Sequence, residues 1–233
     1  MNFSRFTTIS FDCYGTLIDW EAGILPVLRA LLAIHDCNLA DAAILELYGE
    51  FEAEAESGPY RRYREVLQFV IQAFGQQLGF QPFPSEIHSL PESVAGWPPF
   101  ADTIAALRRL KQRYKLAVIS NIDDDLFEET KKLLGVEFDA VITAEQAGSY
   151  KPSVNNFELA LRTLGIPREQ LLHAGQSIYH DVIPARSLGI ATAWVNRKSA
   201  RPGIGAVRAA EGSADVEVCD LAELATLAAP AKI

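Results

Sequence analysis

Four groups of polar residues stand where apolar runs end: Asp12 to Thr16, Ser120-Asn121, Lys151, and Gln176 to Asp181. Together they hold two carboxylates, one amine, two amides and several hydroxyls. That set suits nucleophilic or acid–base chemistry on a small polar substrate. Asp12 lies in FDCYGTLIDW, Phe11 to Trp20, where a β-like run breaks into an acid, a glycine and a threonine. An aspartate with a pKa near roughly 4 is ionised at pH 7 and needs no base to act as a nucleophile. Lys151 supplies the positive charge that keeps it ionised and offsets charge at a reacting centre. Gly15 allows a sharp turn, and the Thr16 hydroxyl is placed to hold the carboxylate rotamer. Each has a plainer reading alone: an aspartate after a strand caps or turns the chain, and a lysine before a proline is a solvated loop residue. Their joint placement is what argues for a site.

The elements that must position them alternate. FTTISFD is a short β-branched strand, and YKLAVISN, FDAVITA, LLHAGQS and IATAWVN are further apolar runs of strand length. Between them the patterns ADTIAALRRLKQR, DDLFEETKKLLG, SVNNFELALRTLG and HDVIPARSLG predict helices, three of them ending in Leu-Gly. Strand alternating with helix predicts an α/β fold with a parallel sheet covered on both faces. In such a sheet ligands bind beyond the carboxyl ends of the strands, which is where the polar groups fall.

The stretch from Trp20 to Pro98 breaks this rhythm. Its apolar spacing (Ile24, Leu28, Leu31; Ile44, Leu47, Tyr48, Phe51; Tyr63, Val66, Leu67, Val70, Phe74) predicts three amphipathic helices inserted after the first strand. GWPPF is the expected return linker, and RKSARPGIGA an expected long loop. The domains predicted are a core of residues 1–18 and 98–233 and a helical insert of residues 19–97. Trp97 and Trp194 are assigned to hinge and core packing, with Trp20 lining the cleft. The acids of NIDDDLFEET are expected to satisfy free N–H groups where a helix begins rather than to hold a cation.

Charge and composition exclude other classes. The net charge of −9 leaves only Arg61-Arg62-Tyr63-Arg64 and the stretch from Arg108-Arg109 to Lys115 as basic clusters. Both read as solvated helix faces, so neither nucleic acid nor a membrane surface is an expected partner. Cys13, Cys37 and Cys219 are an odd number without metal-type spacing, which suits reduced thiols in a cytoplasmic protein. No leader pattern opens the chain, and no apolar run approaches the roughly 20 residues that span a bilayer.

DCYGTL, VISN, YKP and GQSIYHD resemble the four motifs of the haloacid dehalogenase superfamily, in the order and context that family has, and the resemblance covers nearly the whole chain. It implies a Rossmann-like core with a helical cap inserted after the first motif. It also implies Asp12 as a nucleophile forming a covalent aspartyl intermediate that water later hydrolyses. The branch is set by what is missing. Phosphatases of the superfamily carry an acid two residues after the nucleophile, where Tyr14 stands, and another where Gln176 stands. A tyrosine with a pKa near roughly 10 is a poor proton shuttle at neutral pH, and Mg²⁺ favours anionic oxygen ligands. The chain is therefore similar to the metal-free (S)-2-haloacid dehalogenase branch, with no cofactor expected; Mg²⁺ enters only with the phosphatase reading.

That resemblance implies attack by Asp12 on the carbon bearing a leaving group next to a carboxylate. Thr16 holds the nucleophile, and Asp181 with Lys151 orients the hydrolytic water. Ser120 and backbone N–H groups of Cys13 and Tyr14 receive the substrate carboxylate, with Asn121 near the leaving group. Gln176 and Ser177 orient the water or the lysine, and His180 touches the water or leaving group. Two departures bear on the substrate. The family's cap arginine has no counterpart in ELYGEFEAE, leaving Arg61, Arg62 or Arg64 as substitutes, and a tyrosine after the family lysine is Phe157. A small carboxylic acid with a different leaving group, even a strained ring, stays open beside a halide. So do a Mg²⁺-dependent phosphatase and a non-catalytic protein that binds a small acid. A homodimer through the cap is carried by analogy alone.

Overall fold

The computed structural model describes residues 1–197, 206 and 210–230, so most of the expected loop RKSARPGIGA lies outside the described residues. Six strands form one parallel sheet: β1 (Thr8–Phe11), β2 (Lys115–Ser120), β3 (Ala140–Thr143), β4 (Leu171–Gly175), β5 (Ala191–Val195) and β6 (Val216–Val218). Their order is β3-β2-β1-β4-β5-β6. β1 is central and buried along its whole length, because Thr8, Ile9, Ser10 and Phe11 meet helices on both faces. Three of the four polar groups, those at the ends of β1, β2 and β4, therefore converge from neighbouring strands: β1 pairs with β2 as Phe11↔Val118 and with β4 as Phe11↔Ala174.

The insert forms α1 (Trp20–Ile34), α2 (Asp41–Glu56) and α3 (Tyr63–Leu78), followed by the short α4 (Pro84–Ile87) and α5 (Ser89–Ser93). Its two connections to the sheet run side by side: Asp19 N donates to Pro98 O at 2.8 Å and Phe100 N to Leu17 O at 3.1 Å. Trp97 is buried at this junction against α1, where a side chain at Gly23 would meet its ring at 2.2 Å. Flanking the sheet are α6 (Thr103–Lys111), α7 (Asp124–Leu134), α8 (Ala144–Ala147), α9 (Asn155–Leu164), α10 (Ile183–Ser187) and α11 (Leu221–Ala228). The Leu-Gly endings hold: Gly135 and Gly165 take the left-handed conformation that closes α7 and α9.

The acids before α7 cap a helix other than their own: Asp123 stands at the N-cap of α7 but makes no side-chain cap hydrogen bond to it. Asp123 accepts from Tyr63 N at 2.8 Å and Arg64 N at 2.9 Å, so it satisfies the first turn of α3 in the insert, about sixty residues away. Asp125 pairs with Arg62 and Arg64, and Arg62 also reaches Glu145. This clamp joins insert to sheet. Asp123→Ala is expected to cost about 1–2 kcal/mol through lost cap hydrogen bonds. The solvated pairs of Asp125 contribute less than about 1 kcal/mol. Thermal melts of Asp123→Ala against Asp125→Ala check this, with the larger loss in Asp123→Ala.

Candidate active site

Asp12 follows β1 directly and is 8% exposed. The Thr16 hydroxyl donates to Asp12 Oδ2 at 2.7 Å and itself accepts from Gln176 N at 2.9 Å. The turn between them requires glycine. Gly15 has φ +94°, and a Cβ there would meet Gln176 Oε1 at 2.9 Å.

Lys151 reaches Asp12 from the loop between α8 and α9. Asn121 holds that loop from both sides: its Oδ1 accepts from Lys151 N at 2.7 Å, and its Nδ2 donates to Lys151 O at 3.2 Å. The buried ammonium spends its three protons on Asp12 Oδ1 (2.7 Å), Asp181 Oδ1 (2.6 Å) and Ile119 O (3.0 Å). Burial alone would lower its pKa, but the two carboxylates overcome this and raise it above the ordinary lysine range.

Asp181 sits on a π-helical turn, Ile178–Val182, capped by Ser177. Ser177 N donates to Asp181 Oδ2 at 3.3 Å, and Asp181 Oδ1 also contacts His173 Nε2 at 3.2 Å. Ser10 Oγ lies 2.9 Å from His173 Nδ1, which fits a hydroxyl donating to Nδ1 and a ring proton on Nε2. Burial raises the Asp181 pKa, while Lys151 and His173 lower it further, and the balance lies well below the usual carboxylate range. For Asp12 burial wins, and its pKa lies above the ordinary value despite Lys151. The two acids are thus driven apart.

A cavity of about 60 Å³ opens on this cluster, bounded by Asp12, Ser120, Lys151 and Asp181 below and by Trp20, Glu52, Glu56 and Tyr63 from the insert above. Ser120 Oγ is fully buried on its wall and has no hydrogen-bond partner among the described residues. Tyr14, Asn121, Gln176, Ser177, His180 and Ala206 also line it. Two of these are already committed: Asn121 to the Lys151 backbone, and Tyr14, whose hydroxyl lies 2.8 Å from Thr130 Oγ1 on α7. Cys13 does not line the cavity; its side chain is fully buried, and its carbonyl accepts from Leu17 N at 2.7 Å. His180 Nδ1 lies 3.1 Å from Ser177 Oγ. Phe157 stands behind the site, its ring edge-on to His173 at 5.0 Å.

None of the arginines of the insert takes the place of the family's cap arginine in this cavity. Arg62 and Arg64 belong to the clamp with Asp125, and Arg61 lies over the Phe69 ring. Instead the roof is acidic. Glu52 Oε1 accepts from Tyr63 at 2.6 Å and Tyr48 at 2.9 Å, and desolvation pushes its pKa up to about 7. Glu56, one turn on, is pushed well up by burial and by Glu52. The donor set does not suit Mg²⁺: the two carboxylates already share an ammonium, and an amide stands where a third acid is needed.

A parallel sheet that delivers a buried carboxylate–ammonium–carboxylate cluster beyond its central strands defines a Rossmann-like site for covalent or acid–base chemistry. Residues 6–189 match the model of the haloacid dehalogenase-like hydrolases, and the chain belongs to that family. It is a hydrolase. Over 200 residues it is 29% identical to (S)-2-haloacid dehalogenase H-109 of Pseudomonas putida, spanning 82% of this chain and 86% of that one. It is 27% identical over 199 residues to haloacetate dehalogenase H-2 of Moraxella sp. (strain B), spanning 83% and 87%. The fold is also that of L-2-haloacid dehalogenase from Xanthobacter autotrophicus, with TM-score 0.81, 21% identity and 95% and 98% coverage.

Proposed function

We propose that this hydrolase displaces a leaving group, halide first, from C2 of a small 2-substituted carboxylic acid through an ester at Asp12, without a metal. The observation that carries the reading is the meeting of the Asp12–Lys151–Asp181 cluster with an unpartnered buried Ser120 hydroxyl in one cavity. Residues 1–18 and 98–233 act as the core and residues 19–97 as the cap that closes it.

Ser120 Oγ donates to the substrate carboxylate, assisted by the backbone N–H of Tyr14, and turns C2 toward Asp12. An Asp12 oxygen attacks C2 as the bond to the leaving group breaks. Its raised pKa marks a poorly solvated carboxylate, which favours nucleophilicity, while Thr16 and Lys151 fix its orientation. Water then attacks Asp12 Cγ, the acyl bond to the product oxygen breaks, and a 2-hydroxy acid leaves. Asp181 and Ser177 orient that water; Lys151 stabilises the negative charge on the tetrahedral intermediate.

Halide release from 2-chloropropionate and fluoroacetate in EDTA tests this. Release that survives EDTA supports it; Mg²⁺-dependent phosphate release from p-nitrophenyl phosphate, with no halide, sinks it in favour of the phosphatase reading. A positional test follows from Gly175, where a Cβ would stand 2.5 Å from Asp181 Cγ. Gly175→Ala must displace Asp181, and a displacement of that size costs about 100-fold in kcat. Steady-state kinetics well below the variant's melting temperature check it.

A further inference from the structure

The roof of the cavity poses an electrostatic problem that the reading above leaves open. Asp12, Lys151 and Asp181 already sum to one negative charge, the substrate brings another, and the leaving group departs with one. A site for such a departure calls for a cation or a hydrogen-bond donor at the leaving side. The insert offers two carboxyls there.

Their geometry resolves it. Glu52 and Glu56 lie one helical turn apart on α2 and both line the cavity with Asp12 and Lys151. Both hydroxyls on Glu52 bind the same oxygen, Oε1, and among the described residues Oε2 has no hydrogen-bond partner. That arrangement fits a carboxylic acid whose carbonyl oxygen is Oε1 and whose proton is on Oε2. Ser120, buried and unpartnered in the same cavity, independently marks it as built for a ligand that accepts hydrogen bonds.

We propose that Glu52, in a roof whose described residues hold no cation, acts as a neutral donor, its Oε2–H binding the departing atom. On the reading of Asp12 as nucleophile at C2, this selects substrates whose leaving atom is a strong hydrogen-bond acceptor, with fluorine the simplest. Asp12 forms its bond to C2 as the C2–F bond breaks, the electron pair goes to fluorine, and fluoride leaves hydrogen-bonded to Glu52, which keeps its proton. Chloride and bromide accept hydrogen bonds more weakly and gain less from the donor.

Among the described residues, the titratable groups that line the cavities shared with Glu52 or act on it are Tyr48 and Glu56 on α2, Tyr60 before α3 and Tyr63 on it, Tyr150 and Lys151 after α8, Asp12 and Tyr14 after β1, and Tyr179, His180 and Asp181 after β4. With its pKa raised to about 7, Glu52 is neutral below that pH and ionised above it. Donation is therefore lost as pH rises. Fluoride release from fluoroacetate is expected to fall about tenfold per pH unit above 7, while chloride release from chloroacetate levels off. Glu52→Gln retains an acceptor for the tyrosines and a donor toward the cavity and does not titrate, so its ratio of fluoride to chloride release is expected to stay flat from pH 6 to 9.

A pH-independent ratio in the wild-type protein, or a ratio that falls in Glu52→Gln as it does in wild type, overturns the role of Glu52 while chloride release keeps Asp12 chemistry intact. No halide from either acid at any pH overturns both, and so separates failure of the underlying reading from failure of the donor.

Discussion

Asp12→Asn abolishes halide release, by about 10⁴-fold or more, because an amide has no anionic oxygen to offer C2. The variant stays folded. It removes a desolvated carboxylate whose pKa burial has already raised, and it relieves repulsion with Asp181, so Tm is expected to hold or rise. That combination distinguishes loss of a nucleophile from loss of structure. The stronger version uses the wild-type protein in ¹⁸O water with enzyme in excess over substrate. Attack of water on Asp12 Cγ places ¹⁸O in the aspartate and leaves the first product unlabelled; direct attack of water on C2 does the reverse. Mass spectrometry of the peptide containing Asp12 reads the difference. Label in the 2-hydroxy acid after one turnover, with none in the peptide, removes the ester from the mechanism.

What sequence made legible was the sheet that bears these groups. β1 to β5 are dense in β-branched and apolar residues and separated by helical periods with clear endings, so local pattern and tertiary role agree. β6, three residues long, went unread because so short a strand carries no period; α11 went unread although Asp220 and Glu223, three residues apart, mark its start as an N-cap pair. In the site, Asp12, Lys151 and Asp181 stood out as polar residues at strand ends. His173 did not, since it lies inside β4; a histidine in an otherwise apolar buried strand was itself the signal, because it must find partners there, here Ser10 and Asp181. Glu52 and Glu56 were not singled out in the sequence, since the apolar positions of α2 say nothing of what its acids face; only the placement of α2 over the strand ends brings them to the cavity. Asp123 and the arginines of the insert illustrate the same limit. Their residue types announced a cap and a cationic cluster, but which helix is capped and which acids are paired depends on how the insert docks.

Lys151 is the residue on which stability and chemistry meet. Lys151→Met leaves Asp12 and Asp181 buried side by side without their shared cation, and breaking such a cluster from one side costs about 3–5 kcal/mol near neutral pH. The pH dependence has a definite sign. In the wild-type protein Asp181 has a depressed pKa, so its contribution is present above the unfolded value and is lost as pH falls toward the folded one. In the variant both carboxyls are free to rise in pKa and to protonate in the fold. The gap in stability between the two proteins is therefore largest around pH 7 and narrows toward pH 4, which urea melts at both pH values measure. Activity does not return with it. Protonating Asp12 removes the nucleophile, and without the ammonium neither ester formation nor its hydrolysis has a fixed positive charge nearby, a loss of about 10³-fold. A variant that narrowed the stability gap in acid and regained turnover there would show that Lys151 serves the fold alone.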